Sequence, residues 1–575
     1  MARNRASAIA ASGPVIDALA DRCPAWAWIV PPLLLALVVF GLSLDVFRWD
    51  EWVIWGELLH KLENGTFHLV DLAAQQNEQR NLAARLFGLM LMPLFKLNRF
   101  PEYGLNILIA GVGFLAAVRL YVHHGPARTK RLAWLLFSMF SFSILQWETF
   151  TLGANSSVAV LPAALWAGLL IATTGNLSLF RLLAVGAVGI LPSFSFANGL
   201  FYWLAVLPVL VSRARRRGNA TAVVVIWAIM TAGAWTLYFL DFASPGQHPS
   251  LLSGLAHPFE FASYFFAYLG GGVSSDKNLF PVAILLGLAS LPLTAGLALR
   301  EWRAGGDRRE CMLPWLGAIL FTLCSAGVTT VARCAFGVEQ ALESRYASFS
   351  SPYWIALIGL FLQSRSHGRD RKADRLLPAT SLTLAVSLAV FLLSTVLSTV
   401  VVYNRHDRFA RARNALYALT DERPLLTIFP DTAYLMMQLP VLMQNRLSIY
   451  RNLKPLADYG HTAGTAGSFV IEGTAQAAEG RIPGLRLEGR LEDGHRSVLL
   501  EAGGIVVGWL PDTGAEWEIF VPLANLPKGE ARLRAYALDR GENTLTPLAP
   551  EAGFPVAVGA LPPVAYDIGR YFFIH

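Results

Sequence analysis

Charged residues and cysteines are both scarce in this chain of 575 residues. Asp, Glu, Lys and Arg make up 15% of it, whereas a soluble protein of average composition carries roughly 25%. Apolar residues make up 54%, and apolar runs recur with lengths near the ~20 residues that cross a bilayer. This composition excludes an ordinary soluble globular protein and predicts a polytopic membrane protein that is mainly α-helical.

The four cysteines give no support for a zinc site or a thiol redox site, because no two of them form a C-x-x-C pair. All lie in the first 334 residues, inside or beside apolar segments: Cys23, Cys311, Cys324 and Cys334. The region after Tyr403 contains no cysteine, so we expect it to fold without disulfides. The first apolar segment is too long for a signal-peptide core, and no small-residue cleavage site follows it, so we expect no cleavable signal.

Clusters of Lys and Arg predict how the apolar segments are oriented, because such clusters stay in the cytoplasm. They occupy 119–131, 213–217, 300–309 and 365–375. With these clusters and the N-terminus inside, eleven segments cross the membrane and the C-terminus lies outside, in the periplasm of a bacterial inner membrane. The segments are 26–47, 103–122, 131–147, 157–174, 179–192, 196–212, 221–240, 279–299, 312–332, 350–363 and 378–402. The net charge of +7 is therefore a topology signal, and no nucleic-acid partner is predicted.

Two further apolar stretches, 82–97 and 258–272, break this alternation if each crosses alone. We interpret them as interfacial or re-entrant helices on the outer side, which leaves up to thirteen crossings open. The loops without basic clusters carry most of the unusual polar motifs, and the topology puts all of these loops on the outer face. They are the first loop, 48–102, followed by 145–155, 192–199, 241–258 and 331–349.

The C-terminal region changes its pattern after the last apolar segment. Residues 404–467 are predicted to be an amphipathic linker, with a basic helix over 404–419, a strand over 423–430 and a helix over 433–444. From 468 to 575, short alternating runs between Gly, Pro and Asp turns predict an extracytoplasmic antiparallel β-sandwich. Such a domain is compatible with carbohydrate binding and with a purely structural cap.

The stretch "RWDEW" places Asp50 and Glu51 between tryptophans where the first apolar segment ends. One interpretation is structural, because Asp is a favoured N-cap and acids suit the first turn of a helix. The other is catalytic, because a carboxylate at the lip of an apolar cavity is easily desolvated and then accepts protons more readily. Both roles are compatible, and we predict Asp50 and Glu51 as catalytic acids.

A dense polar run, "QQNEQR", precedes the apolar stretch 82–97 and contains Asn77, Glu78 and Arg80. It could be a solvated loop. It could also supply Arg80 to a phosphate at the membrane interface, where the planar guanidinium binds with two parallel hydrogen bonds. We predict Arg80 as a phosphate ligand and Asn77 and Glu78 as groups near the acceptor.

The segment "RCAFGVEQALESRY" lies at the outer end of an apolar segment and begins and ends with candidate ligands. Charges at such a position usually face a polar cavity, because burying them in lipid costs roughly 2.5 to 3.5 kcal/mol each at the bilayer centre. A solvated edge is the alternative. We predict Arg345 and Arg333 as phosphate ligands, and Tyr346 and Glu148 of "QWET" as further site residues.

Taken in order, "DEW", "QQNEQR", "QWETFTLG", "R…G" and "ESRY" resemble a set of bacterial membrane proteins of the glycosyltransferase C superfamily. Their pattern runs D-D-W, Q-H-N-E-H-R, Q-W-E-N-x-x-x-G, R-x-x-x-G and S-R-Y, and the resemblance spans nearly the whole chain. Here Glu51 replaces the second Asp, Gln76 and Gln79 replace histidines, and Thr149 replaces Asn. A histidine metal site is therefore not carried over, and no metal ligand is predicted, although a divalent cation is compatible.

The resemblance implies a catalytic membrane domain over 1–403 with interfacial helices in the loop 48–102. It also implies inverting sugar transfer from a polyprenyl-phosphate donor to a glycan, lipid or protein acceptor. Asp50 would deprotonate the acceptor hydroxyl, and Arg345, Arg80 and Arg333 would hold the donor phosphate. Two alternatives stay open: a transporter or flippase of lipid-linked sugars, which would be expected to show internal repeats, and a non-catalytic envelope assembly protein.

Overall fold

The computed structural model describes residues 12–243, 257–366, 376–478, 480–492, 497–539, 541 and 543–558. Most of the predicted outer loop 241–258 lies outside the described residues. So do most of the basic cluster 365–375 and the last part of the predicted C-terminal domain, 559–575.

Helices dominate the part of the chain before residue 445. Long apolar runs form most of them. Three helices begin with proline in the first turn, where its missing N–H costs nothing. In chain order they are α1 Ser12–Arg22, α2 Val30–Leu42, α3 Asp50–Glu63, α4 Leu82–Phe95, α5 Arg99–His124, α6 Lys130–Ser141, α7 Trp147–Thr151, α8 Ser156–Thr173, α9 Leu179–Ser193, α10 Tyr202–Arg216, α11 Ala220–Phe239, α12 Pro258–Gly270, α13 Phe280–Ala304, α14 Gly306–Arg333, α15 Ser344–Ser366, α16 Leu376–Ala418 and α17 Thr432–Gln444.

Seven helical stretches in the described residues are long and apolar enough to cross a membrane. They are Arg99–His124, Gly153–Thr173, Ala197–Arg216, Ala220–Phe239, Lys277–Ala304, Gly306–Phe336 and Leu376–Ala418. This number is smaller than the eleven to thirteen predicted crossings. Helices do form in the other four predicted segments, but α2, α6 and α9 are short, and α15 begins with the polar run "SRYASFSS".

The two stretches that were predicted not to cross, 82–97 and 258–272, are the helices α4 and α12 of 14 and 13 residues. Both are shorter than the ~20 residues that a span requires. Their placement in the membrane interface stays a prediction.

The chain divides into two compact units that interleave along the sequence. The helical unit comprises Met1–Ser43, His68–Gly88 and Glu102–Tyr403, and the mixed unit comprises Leu44–Phe67, Leu89–Pro101 and Asn404–His575. The predicted first loop, 48–102, therefore contributes to both units. The boundary at 403 lies inside α16, a continuous helix of 43 residues, so the predicted helix over 404–419 is the continuation of the last apolar helix.

In the helical unit, α12 and α13 pack backbone against backbone. A Cβ added to Gly270 would lie 2.0 Å from the carbonyl oxygen of Ala283, and one added to Gly287 would lie 2.1 Å from that of Phe266. Both helices approach this closely only because glycine has no side chain at these two positions.

The mixed unit has a core built from all three of its chain segments. Trp52 and Trp55 of α3 pack with Leu97, with Phe409 and Leu416 of α16 and with Leu435 and Leu439 of α17, all of them buried. The predicted strand over 423–430 is wrong: the chain forms a 3-10 turn at Leu425–Thr427. Leu425, Ile428 and Phe429 are buried while Leu426 is 56% exposed, so the apolar spacing is helical.

The end of the chain is β-rich, as the alternating pattern predicts. The strands are β1 Gly460–His461, β2 Gly467–Ala477, β3 Ile482–Leu491, β4 Ser497–Ala502, β5 Ile505–Leu510, β6 Glu516–Pro522, β7 Gly529–Leu538, β8 Thr544–Pro547 and β9 Phe554–Val558. One sheet has the order β1-β8-β7-β4-β5 with β9 also on β7, and the other has the order β2-β3-β6. Every pairing is antiparallel except β1 with β8. One apolar cluster contains Leu487 and Ile519 of the smaller sheet and Leu500 and Ala535 of the larger.

Candidate functional site

The motif "RWDEW" forms the junction at which α3 begins, in the mixed unit. Trp49 precedes the helix with φ 49° and ψ −121°, a backbone conformation that a bulky residue rarely adopts. Its N–H donates to the carbonyl oxygen of Ile428 over 2.6 Å, and its ring meets the Phe409 ring edge-on at 6.1 Å. Strained residues of this kind persist where the surrounding structure holds them, often at functional sites.

Glu51 is fully enclosed beneath this junction. Its carboxylate lies 3.7 Å from the guanidinium of Arg99, and the two side chains are 1% and 0% exposed. The same carboxylate accepts a hydrogen bond of 3.0 Å from the N–H of Arg48. A buried, paired acid has no access to an acceptor. This environment therefore favours a structural role for Glu51 and does not support its prediction as a catalytic acid.

A second acid, Asp45, extends this buried charge network. It accepts the N–H of Arg99 over 2.9 Å and forms an ion pair with Arg451, whose pKa is lowered by burial. The Arg99 guanidinium also lies over the rings of Phe47 and Trp55, at 4.6 and 5.5 Å. These contacts join the segments 44–67, 89–101 and 404–575 of the mixed unit and fix the start of α3.

Asp50 differs from its neighbours. Its side chain is half-buried, and within the described residues it makes no hydrogen bond and no ion pair. Arg48, Glu51 and Trp52 are all buried, and the indole N–H of Trp52 donates to Phe47 over 2.9 Å. The motif therefore presents one accessible carboxylate on a backbone that its neighbours hold in place.

The polar run of the first loop forms a tight turn in the helical unit. Gln76 and Gln79 exchange two backbone hydrogen bonds of 2.7 and 3.0 Å, with Asn77 at φ 51° inside the turn. The carbonyl oxygen of Asn77 accepts from the Gln75 amide over 2.5 Å, and the Asn81 amide donates to Gln76 over 2.9 Å. Asn77 thus stabilises this turn, since Asn tolerates the left-handed backbone conformation that the turn requires.

Arg80 is engaged by backbone carbonyl groups. Its guanidinium donates to Tyr238 over 2.6 and 2.8 Å, to Leu240 over 2.6 Å and to Ala73 over 3.1 Å. Two of these acceptors, Tyr238 and Leu240, lie at the C-terminus of α11, where a cation is favourable. This environment favours a capping role over the predicted role as a phosphate ligand.

The helical unit brings the remaining predicted residues together in pairs. Glu78 forms an ion pair with Arg333. The Glu148 carboxylate accepts the N–H of Arg345 over 3.3 Å, and the N–H of Glu148 donates to the Ser344 hydroxyl over 3.1 Å. The motifs "QWET" and "ESRY" therefore meet, with Glu148 buried and Arg345 half-buried.

Tyr346 is buried beside these groups. Its ring lies 5.5 Å from that of Tyr268, and the Arg345 guanidinium lies 5.7 Å from the Tyr346 ring. Of the nine predicted site residues, Asp50 and Glu51 belong to the mixed unit and the other seven to the helical unit. The described residues contain no group of three or more His, Cys, Asp or Glu side chains arranged to hold a metal ion.

Two residues of the "RWDEW" site escaped prediction from the sequence, Arg99 and Arg405. Arg99 lies at the start of an apolar helix, and a charge at that position indicates a polar partner nearby, so the sequence offered a signal for it. Arg405 lies over the Trp49 ring at 5.9 Å, a contact between residues more than 350 positions apart that no local pattern indicates.

Comparisons with protein-family models, with curated proteins and with solved structures give no match to this chain.

Proposed function

We propose that this protein is a membrane glycosyltransferase of the glycosyltransferase C type that uses a polyprenyl-phosphate sugar. The accessible carboxylate of Asp50 carries the proposal. It stands at a strained helix start whose other charged groups are buried and paired, so it is the acid of this motif that a substrate hydroxyl could reach. The order of motifs along the chain, and the apolar helices that could span a membrane, support the same class of enzyme.

In the proposed reaction, the Asp50 carboxylate takes the proton of an acceptor hydroxyl. The acceptor oxygen attacks the anomeric carbon from the face opposite the donor phosphate and forms the new glycosidic bond with inversion. The bond between the anomeric carbon and the phosphate oxygen breaks, and polyprenyl phosphate leaves with the electron pair. A guanidinium at that phosphate stabilises the growing negative charge, commonly the largest contribution to such a rate.

The acceptor class proposed is a glycan, lipid or protein on the periplasmic face. Arg345, Arg80 and Arg333 stay predicted phosphate ligands; in the structure Arg80 bonds carbonyl groups and Arg333 pairs with Glu78. We also propose that the two sheets form a β-sandwich, supported by the apolar cluster to which both contribute.

Donor consumption by the purified protein tests the proposal. Lipid extracts that contain polyprenyl-phosphate sugars would be incubated with the wild type, Asp50→Asn and Glu63→Gln, the last an exposed acid on the same helix. We expect Asp50→Asn to lose about 100-fold or more in rate, as removal of a general base does, with Glu63→Gln unchanged. Equal turnover by the wild type and Asp50→Asn would contradict the role of Asp50, and no turnover with any donor would contradict the activity.

A further inference from the structure

Four arginines of the helical unit lie together where α8 and α10 end and α9 begins. They are Arg181, Arg213, Arg216 and Arg217, and we call them the arginine cluster. The charges of the other three act on Arg213, as does that of one acid, Glu310. Glu310 forms an ion pair with Arg216. Four positive charges and one negative charge leave a net charge of +3 in this group.

Three members of the cluster surround the short connection between α8 and α9. Arg213 donates a hydrogen bond to the carbonyl oxygen of Gly175. Arg217 donates to the carbonyl oxygen of Leu177 over 2.8 Å. The Arg181 guanidinium lies against Gly175, since a Cβ added to this glycine would be 2.3 Å from Nη1 of the arginine. The three guanidinium groups therefore meet at one loop.

Arg181 is the member of the cluster whose hydrogen-bonding capacity is not used. Its Nη1 is buried and has no hydrogen-bond partner in the part of the chain that the structure describes. Such a donor costs free energy until an acceptor satisfies it. The surrounding positive charge favours an anion as that acceptor, and phosphate oxygens match the planar guanidinium. The side chain as a whole is partly exposed, so a ligand at the surface could reach it.

Exposed apolar side chains continue from Arg181 along α9. Leu179 and Phe180, which directly precede Arg181, are 59% and 82% exposed. Leu183 and Ile190 are 47% and 49% exposed, and their spacing from Phe180 puts them on the same side of the helix. A free phosphate would leave this apolar surface uncovered, whereas the acyl chains of a phospholipid would cover it. The ligand that fits both features is therefore amphipathic.

The depth of the cluster also suits a lipid phosphate. Two of the helical stretches that could span a membrane, Gly153–Thr173 and Ala197–Arg216, end beside it. The predicted topology puts this end in the cytoplasm, because the basic cluster 213–217 belongs to it. Lipid phosphates lie just outside the hydrocarbon core, where such helices end. Basic pockets between helices at the cytoplasmic surface bind anionic lipid headgroups in other membrane proteins.

We infer that the arginine cluster binds the phosphate of an anionic phospholipid, with Arg181 as its principal ligand. The acyl chains lie along the exposed side of α9 that contains Phe180 and Leu183. The lipid is bound and not consumed. The site lies within the helical unit, and the inference does not rest on the proposed transferase activity.

Native mass spectrometry of the full-length protein tests the site. The probes are dioleoyl phosphatidylglycerol and dioleoyl phosphatidylcholine, which has the same acyl chains and a phosphate but no net charge. The test variant is Arg181→Gln, and the matched control is Arg215→Gln, on an exposed arginine of α10 outside the arginine cluster. We expect phosphatidylglycerol to bind the wild type about tenfold or more tightly than phosphatidylcholine does. Arg181→Gln should weaken its binding about tenfold, as loss of charge-assisted hydrogen bonds predicts.

Arg215→Gln should bind phosphatidylglycerol as the wild type does. Equal weakening in both variants would overturn the site in favour of general charge attraction. Binding of phosphatidylglycerol no tighter than that of phosphatidylcholine would overturn the selectivity for an anionic lipid. Excess inorganic phosphate should not displace the lipid, because it has no acyl chains. Full displacement would overturn the lipid in favour of a free anion.

A conservative variant, Arg181→Lys, covers the case in which Arg181→Gln does not fold. It keeps the charge but loses the planar fork, so phosphatidylglycerol should bind it more weakly than the wild type. Unchanged binding would overturn the role of the guanidinium geometry. Because no sugar donor is present, lipid binding by a protein without transferase activity would contradict only the proposed reaction. Transferase activity without this pattern of lipid binding would contradict only the site.

Discussion

Glu51 and Arg99 form an ion pair at 3.7 Å between two side chains that are almost completely enclosed. Removing one partner of such a pair costs about 3–5 kcal/mol, because an uncompensated charge is left buried. We expect Glu51→Gln and Arg99→Met each to lower the stability of the protein on this scale. The double variant should lose less than the sum of the two, since it buries no lone charge.

Chemical unfolding of the full-length protein in detergent measures these values as a double-mutant cycle. The matched control is the exposed pair Arg486–Glu518, 2.8 Å apart, whose removal should cost no more than about 1 kcal/mol. Additive losses for Glu51 and Arg99 would show that the two residues act independently.

Asp50→Asn should leave stability nearly unchanged, within about 0.5 kcal/mol, although it lies beside Glu51. Its side chain is half-buried and has no hydrogen bond or ion pair in the described part of the chain, so the amide breaks no contact there. The same unfolding assay applies, with Glu51→Gln as the destabilised comparison. A loss as large as that of Glu51→Gln would assign Asp50 a structural role.

Arg80→Gln should destabilise the protein by about 1.5–3 kcal/mol, because it removes charge-assisted hydrogen bonds to three carbonyl groups. Arg80→Lys should not restore the wild-type value, since a single ammonium cannot span these acceptors. Thermal unfolding provides the measurement, and Arg303→Gln, on an exposed arginine, is the control. Weaker binding of undecaprenyl phosphate without any loss of stability would instead support the phosphate role predicted from the sequence.

Gly287→Ala should destabilise the helical unit by about 1–3 kcal/mol, since the new methyl group would collide with the carbonyl oxygen of Phe266. Gly233→Ala in α11 is the matched control, because no atom lies within 4 Å of its added Cβ. That substitution should be neutral or slightly stabilising. Equal midpoints of thermal unfolding for both variants would show that α12 and α13 are not in backbone contact.

We expect Asp539 to make the β-rich region sensitive to acid. Its carboxylate accepts the N–H groups of Asn543 and Thr544 over 2.7 and 2.9 Å, and hydrogen bonds from the backbone lower its pKa below the usual range. A group with a lowered folded-state pKa stabilises above its unfolded pKa, and the stabilisation is lost as pH falls through the folded value. The stability difference between wild type and Asp539→Asn should therefore be largest near neutrality and shrink below about pH 4.

Chemical unfolding across this pH range checks the prediction. Glu516→Gln, on an exposed acid of β6, is the control. A difference that stays constant with pH would show that the aspartate stabilises this turn without its charge.

Much of the secondary structure was predictable because it depends on local composition. The eleven apolar segments are all helical, and the alternation after residue 467 corresponds to strands. The prediction of a strand over 423–430 was wrong because a short apolar run fits the periodicity of a helix and of a strand equally well. Only the pattern of buried side chains distinguishes the two. Seven of the eleven predicted segments form helices in the described residues that are long and apolar enough to span, because apolar character alone fixes neither the length of a helix nor the polarity of its first turns.

The candidate site was predictable in its residue types and not in its contacts. Local sequence determined that acids and arginines would cluster at the ends of apolar helices, because burying isolated charge in lipid is costly. Only the tertiary structure decided that Glu51 is buried against Arg99, that Arg80 binds carbonyl groups and that Arg405 lies over Trp49. The polarity of a residue follows from its own side chain, whereas its partner depends on which distant segments the chain brings beside it.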